Sequence, residues 1–209
     1  MAARKDPPTG EDDLRSEGLL RSQKHPRLAQ ENTSLWEAFV QVVESNSHQP
    51  AVEDAYGSSW TYSELHAAAL QVAKGLAPLL HSEVRRGNST PITAVLTRRD
   101  CSWLAVCLAA MRLSSPVLAL SGDVQSEGEV ERNQMALEEH RPTVVVLDRH
   151  LCHSSAAAPV LKACGANDST SGLSVVYVED LLATAEHESS LPMHVCDPDH
   201  ALYFVYTGG

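Results

Sequence analysis

Residues 91–123 read PITAVLTRRDCSWLAVCLAAMRLSSPVLALSGD, and this stretch decides the fold. "PITAVLT" (91–97) is a short apolar run bounded upstream by the turn-forming "RGNS" (86–89), the composition of a strand buried on both faces. Asp100 then stands where a helix N-cap belongs, with a carboxylate able to accept from the orphan amides of "CSWLAVCLAAMRL" (101–113). That helix is apolar nearly all round, so both of its sides are expected against protein. "PVLAL" (116–120) supplies the second strand. Strand, helix and strand in this order pair in parallel through a right-handed crossover.

The alternation continues outward. Upstream, Ser34 and Glu37 have capping-box spacing, and Leu35, Phe39, Val42 and Val43 fall on one face of the helix they open. "AVED" (51–54) and "SWTY" (59–62) flank Tyr56-Gly57-Ser58, the signal of a small hairpin. A helix follows from about Ser63 with Leu65, Ala69, Val72, Ala73 and Leu76 facing inward, and Pro78 is expected to disturb its last turn. Downstream, "EGEVERNQMALEEH" (127–140) predicts a charged, exposed helix, and "TVVVLD" (143–148) a strand of the continuous apolar kind that parallel sheets contain. Residues 152–173, rich in Ala, Ser, Gly and Asn, read as a loop or poorly ordered insertion. "LSVVYVEDLLATA" gives a strand and a short helix, and "ALYFVYT" (201–207) a last strand. The fold class is α/β, a layered, mostly parallel sheet with flanking helices. Residues 1–33, polar and rich in Pro, Gly and charge, read as a mobile extension, and 34–209 as the ordered domain.

Composition narrows the function. The chain has 209 residues, of which 43% are hydrophobic and 21% charged, enough for one domain with a core. A formal net charge of −11 argues against a nucleic-acid surface, which needs clustered Lys and Arg; "VRR" (84–86) and "TRRD" (97–100) are short basic pairs. The five cysteines are an odd number without framework spacing, as in an intracellular protein with reduced thiols. The N-terminus has no apolar stretch of signal-peptide length, and no window reaches the ~20 apolar residues of a membrane span. The expectation is a soluble, cytoplasmic protein. His150, Cys152 and His153, and again His194, Cys196 and His200, stand close in sequence but lack the paired spacing of zinc ligands, and read as surface or loop residues.

The chain ends on Tyr206-Thr207-Gly208-Gly209. A strand running into Thr-Gly-Gly puts a hydroxyl and two unhindered amides at the carboxyl end of a sheet, where open α/β folds bind ligands and where amides can wrap a phosphate. Gly-Gly after a strand is also an ordinary turn, and the lysine-bearing phosphate-loop signature is absent. A terminal Gly-Gly further raises the possibility of a ubiquitin-like modifier, but "LYFVY" is an apolar strand better buried than free.

The remaining motifs choose between these. "PAVEDAYGSSWTYSEL" (50–65) resembles the opening of the acyl-adenylate-forming superfamily, the AMP-dependent synthetases and ligases that include acyl-CoA synthetases and peptide-synthetase adenylation domains. Its (S/T)-Y-x-E-L block is matched by Thr61, Tyr62, Glu64 and Leu65. The strand, helix and strand of residues 91–123 follow in the family's order. Tyr206, Thr207, Gly208 and Gly209 then resemble the first positions of the ATP loop Y-(T/S)-S-G-(T/S)-T-G-x-P-K-G, with Gly208 where serine is usual. "RLSSPVLALSGD" departs from the family in lacking its Ala-Gly and its P-x-(D/N)-P.

The resemblance implies the N-terminal portion of an adenylate-forming enzyme's large domain. Thr207, Gly208 and Gly209 would bind ATP phosphates with Mg²⁺, a carboxylic or amino acid would be the substrate, and CoA or phosphopantetheine the acceptor. The family's loop lysine, ribose-binding aspartate and C-terminal catalytic lysine match no residue here, so the chain is expected to be an inactive fragment with an uncovered sheet edge and marginal stability. The alternative is a non-catalytic α/β module that binds a partner or a nucleotide.

Overall fold

The computed structural model describes residues 34–85, 90–122, 127–165, 173–183 and 202–204. The expected extension over 1–33, the residues Thr207, Gly208 and Gly209 expected to bind phosphate, and His194, Cys196 and His200 lie outside the described residues.

The first elements among the described residues are α1 (Leu35–Asn46), a hairpin of β1 (Pro50–Glu53) and β2 (Ser59–Thr61), and α2 (Tyr62–Arg85). β3 (Thr93–Leu96), α3 (Cys101–Arg112), β4 (Val117–Ala119), α4 (Glu127–His140) and β5 (Val144–Leu147) follow. A 3₁₀ turn (Ser155–Ala157), α5 (Ala158–Gly165), β6 (Ser174–Tyr177), α6 (Val178–Ala183) and β7 (Tyr203–Phe204) are the remaining described elements. β1 and β2 pair antiparallel, and Gly57 holds their turn at a φ of +88°, where a side chain would be strained. The main sheet has the order β6-β5-β3-β4-β7 with every pairing parallel. The α/β class read from the sequence is the fold observed.

All four residues of β3 and of β5 are buried, as continuous apolar strands require when helices cover both faces. Val95, Val117, Val144 and Val146 pack under α2, α3 and α6. Ala94, Leu96, Leu118, Val145 and Leu147 pack under α4, the 3₁₀ turn and α5. The crossover after β3 therefore covers one face and that after β4 the other.

Local signals hold where backbone chemistry decides them. Ser34 Oγ accepts from Glu37 N at 3.2 Å and Glu37 Oε2 from Ser34 N at 2.7 Å, a complete capping box. Thr61 and Glu64 make a second one: Glu64 Oε2 accepts from Thr61 N at 2.8 Å, and Thr61 Oγ1 from Glu64 N at 3.3 Å. Thr61-Tyr62-Ser63-Glu64, read as a family motif, is thus also the start of α2. Asp100 caps α3 by accepting from Trp103 N. Leu65, Ala69, Val72, Ala73 and Leu76 are buried as expected.

Three expectations need correction. On α1 the inward face carries Trp36, Phe39, Val40 and Val43, whereas Leu35 is 51% and Val42 39% exposed; both sets have helical spacing, and the docking of Trp36 beside Leu65 and Leu108 selects the face. Pro78 lies inside α2, which runs on to Arg85 because Leu76, Ala77 and Leu80 bury its second half and offset the lost backbone bond. Within residues 152–173, 155–165 are helical rather than loop, since Ala156, Ala157 and Val160 are fully buried against the sheet; residues 166–172 lie outside the described ones.

Candidate functional site

The crossovers that follow β3 and β4 leave to opposite faces, so the carboxyl ends of these adjacent strands diverge into a crevice, the place where open α/β sheets receive ligands. A cleft of about 420 Å³ occupies it. Thr97, Arg98 and Arg99 line it after β3, Ser121 and Gly122 after β4, and Glu129, Arg132 and Asn133 on α4, with Tyr56 of the hairpin and Tyr203 of β7 at its border.

Each wall is fixed by a buried polar group. Asp148, just past β5, is 1% exposed and accepts from Arg98 Nε at 2.8 Å and from His150 N at 2.6 Å. Burial alone would push this carboxyl up, but the hydrogen bond from Arg98, the amide of His150 and the charge of Arg98 together hold it below its ordinary value. Arg98 also lies 3.7 Å from Asp100 Oδ2 and stacks its guanidinium 5.1 Å from the Tyr56 ring centroid. Across the cleft, Asn133 grips both backbone groups of Ser121. Asp54 ties the hairpin into the same corner, accepting from Tyr56 N and Ser58 N through Oδ1 and from Cys101 N through Oδ2.

Three arginines stand at the rim, two of them already paired with carboxylates. Arg98 is bound to Asp148, Arg132 Nη2 lies 2.6 Å from Glu129 Oε1, and the exposed Arg99 stacks 4.4 Å from the Trp103 ring centroid. Such an edge can hold an anionic group by charge-assisted hydrogen bonds. Nucleophilic thiol chemistry is not offered by the two buried cysteines: burial pushes Cys101 up to about 11 and Cys107 up to about 12, so both stay protonated at neutral pH. His150 and His153 are exposed, and among the described residues no group of three or more His, Cys, Asp or Glu is placed to hold a metal. No helix among the described residues is long and apolar enough to cross a membrane.

Sequence reading treated "TRRD" as a basic pair and α4 as a solvated face, and so missed Arg98, Arg99, Arg132 and Asn133. The available signal was Arg98-Arg99 directly after a buried strand, which places it at the ligand-binding edge.

A doubly wound sheet with a cleft at its carboxyl edge makes this an open α/β fold, the class that receives ligands at that edge. Comparison narrows it: residues 39–209 match the family described as AMP-binding enzyme, and the chain belongs to that family. ATP-bound MatB from Rhodopseudomonas palustris has the same fold, at a TM-score of 0.60 and 22% identity over 85% of this chain and 32% of that one. A fatty acyl CoA synthetase from Mycobacterium tuberculosis aligns at 0.61 and 16% identity over 84% of this chain and 32% of that one. The anthranilate CoA ligase AuaEII, in complex with anthranoyl-AMP, aligns at 0.62 and 12% over 84% and 31%. The chain thus spans about a third of the length of these structures. Among curated proteins none matches it in sequence.

Proposed function

We propose that the chain forms the N-terminal part of a cytoplasmic ligase that activates a carboxylic or amino acid with ATP as an acyl-adenylate and passes the acyl group to CoA or a phosphopantetheine carrier. The observation that carries this reading is the direction of β7. It runs parallel to β4 and so toward the edge where the arginine-lined cleft opens, and the residues next in sequence are Val205-Tyr206-Thr207-Gly208-Gly209. Family membership supports it.

In this reading Thr207 offers a hydroxyl, and Gly208 and Gly209 backbone amides, to the phosphates of ATP. A carboxylate oxygen of the acid attacks the α-phosphorus, the bond to pyrophosphate breaks, and pyrophosphate leaves. The sulfur of the thiol then attacks the acyl carbon and AMP leaves with the carboxylate oxygen. Magnesium would neutralise charge on the phosphates when bound, and no step assigned to this chain runs through it. The rim of Arg98, Arg99 and Arg132 suits the phosphate-bearing acceptor thiol. Because the family's lysines match none of the 209 residues, these residues alone supply too little positive charge for adenylation.

Carboxylate-dependent ATP–pyrophosphate exchange tests the reading, with a panel of amino and fatty acids, on the 209-residue chain and on a longer form read on from the same gene. Exchange in the longer form alone is the expected result. Exchange in neither sinks the ligase, and exchange by the 209 residues alone removes their proposed dependence on further chain.

A further inference from the structure

We propose that Asn133 is a positioning residue for the acceptor thiol: its side-chain amide fixes the Ser121–Gly122 wall of the cleft and thereby sets the affinity for that substrate. The proposal rests on the ligase reading above.

Asn133 sits on α4 within a run of charged residues, yet it is 2% exposed. Its Nδ2 donates to Ser121 O at 2.8 Å, and its Oδ1 accepts from Ser121 N at 2.9 Å. Nδ2 also lies 3.4 Å from Ala156 O in the 3₁₀ turn that follows β5. Two bonds to one residue's backbone are what a neighbouring strand would give. They occur just past β4, which ends at Ala119, after Leu120 N has donated to Val95 O of β3 at 3.0 Å. Asn133 therefore extends the order of the strand into the loop that walls the cleft.

Packing does not ask for an amide here. The other buried residues described on α4 are Ala136 and Leu137, both apolar, whereas Asn133 carries the cost of burying polar atoms. Besides its longer contact with Ala156 O, the amide supplies a fixed course for Ser121, the residue that leads into Gly122. That course has little slack: a Cβ at Gly122 would stand 3.0 Å from Leu151 Cδ1 and 3.8 Å from Thr97 O, on the facing wall. Ser121, Gly122, Asn133 and the adjoining Arg132 all line the cleft, so a shift of this wall alters the opening where the thiol's phosphates are to bind.

The test uses Asn133→Ala and Asn133→Asp in the protein as its own gene expresses it, with CoA as the thiol, ATP, and the acid that supports exchange. Asp keeps the acceptor for Ser121 N but sets a second acceptor against Ser121 O. The KM for CoA is expected to rise about tenfold, the effect of losing one buried hydrogen bond from the wall, while kcat and the KM for ATP stay within about twofold. A merely structural role would lower the melting temperature and the active fraction without separating the two KM values. An unchanged KM for CoA, or KM values for CoA and ATP that rise together, overturns the proposal. If neither variant folds, Asn133→Ser, which keeps one donor at shorter reach, gives the same comparison. Failure of the underlying reading is distinct, because an unaltered protein that forms no adenylate overturns both before any variant is made.

Discussion

Arg98 and Asp148 stand 50 residues apart in the chain and form the ion pair that joins the carboxyl ends of β3 and β5, with Arg98 Nε 2.8 Å from Asp148 Oδ2. The carboxylate is 1% exposed and the arginine side chain 33%, so the pair is dry at one end and wetted at the other. It sets the height of the loop that carries Arg98 and Arg99 into the cleft.

Removing the arginine leaves a buried carboxylate held by backbone amides alone. Arg98→Ala is expected to cost about 3 kcal/mol, the low end for a broken buried pair because Arg98 is partly hydrated. Asp148 is held below its ordinary value of 3.8, so its contribution is present above that pH and is lost as pH falls through the lower, folded value. Urea melts between pH 5 and 2 should show a steep acid loss in the unaltered protein and a shallower one in Arg98→Ala. Equal slopes would deny the pair its role.

His66 gives a second and separate pH window. It stacks on Trp36 at 5.4 Å between ring centroids, and burial first, then the charge of Arg112, hold its pKa below 6.5. A neutral native imidazole means that its contribution is present above pH 6.5 and is lost as pH falls from there toward the folded value. His66→Gln should flatten the stability profile in this range while leaving the acid limb of Asp148 in place. Thermal melts from pH 8 to 5 measure it.

Gly75 marks the contact of α2 with α6, where a Cβ would overlap Leu181 Cδ2. Gly75→Ala gains helix propensity of about 1 kcal/mol but overpacks a site that typically loses about 1–3 kcal/mol, so a net loss of about 1 kcal/mol is expected. Leu181→Ala, costly by itself because Leu181 is buried, should cost less in the Gly75→Ala background. Additive losses in a double-mutant cycle would show that the two helices do not meet there.

The cap at Thr61 and Glu64 is a stability device as well as a family motif. Thr61→Ala should cost about 1 kcal/mol, the usual value of an N-cap. Glu64→Ala should cost less in the Thr61→Ala background, since its carboxylate also accepts from Thr61 Oγ1, at 2.9 Å. Chemical denaturation of the two single variants and the double variant decides it.

What the sequence determined by itself is the set of elements with local causes. The caps at Ser34, Thr61 and Asp100 act within a few residues, Gly57 meets a turn that only its φ allows, and the unbroken apolar runs of β3 and β5 leave no polar face to expose. From those elements the parallel α/β class follows. Tertiary structure decided everything that depends on which of two equally periodic choices finds a partner. Trp36 rather than Leu35 turned inward on α1, Pro78 was absorbed into α2, and Ala156, Ala157 and Val160 became a packed turn and helix. The cleft belongs to the same class of outcome. Arg98 and Asp148, or Asn133 and Ser121, carry no local signal for each other; burial makes an unpartnered carboxylate or amide costly, and only the folded crossing of β3, β4, α4 and β5 brings each its partner.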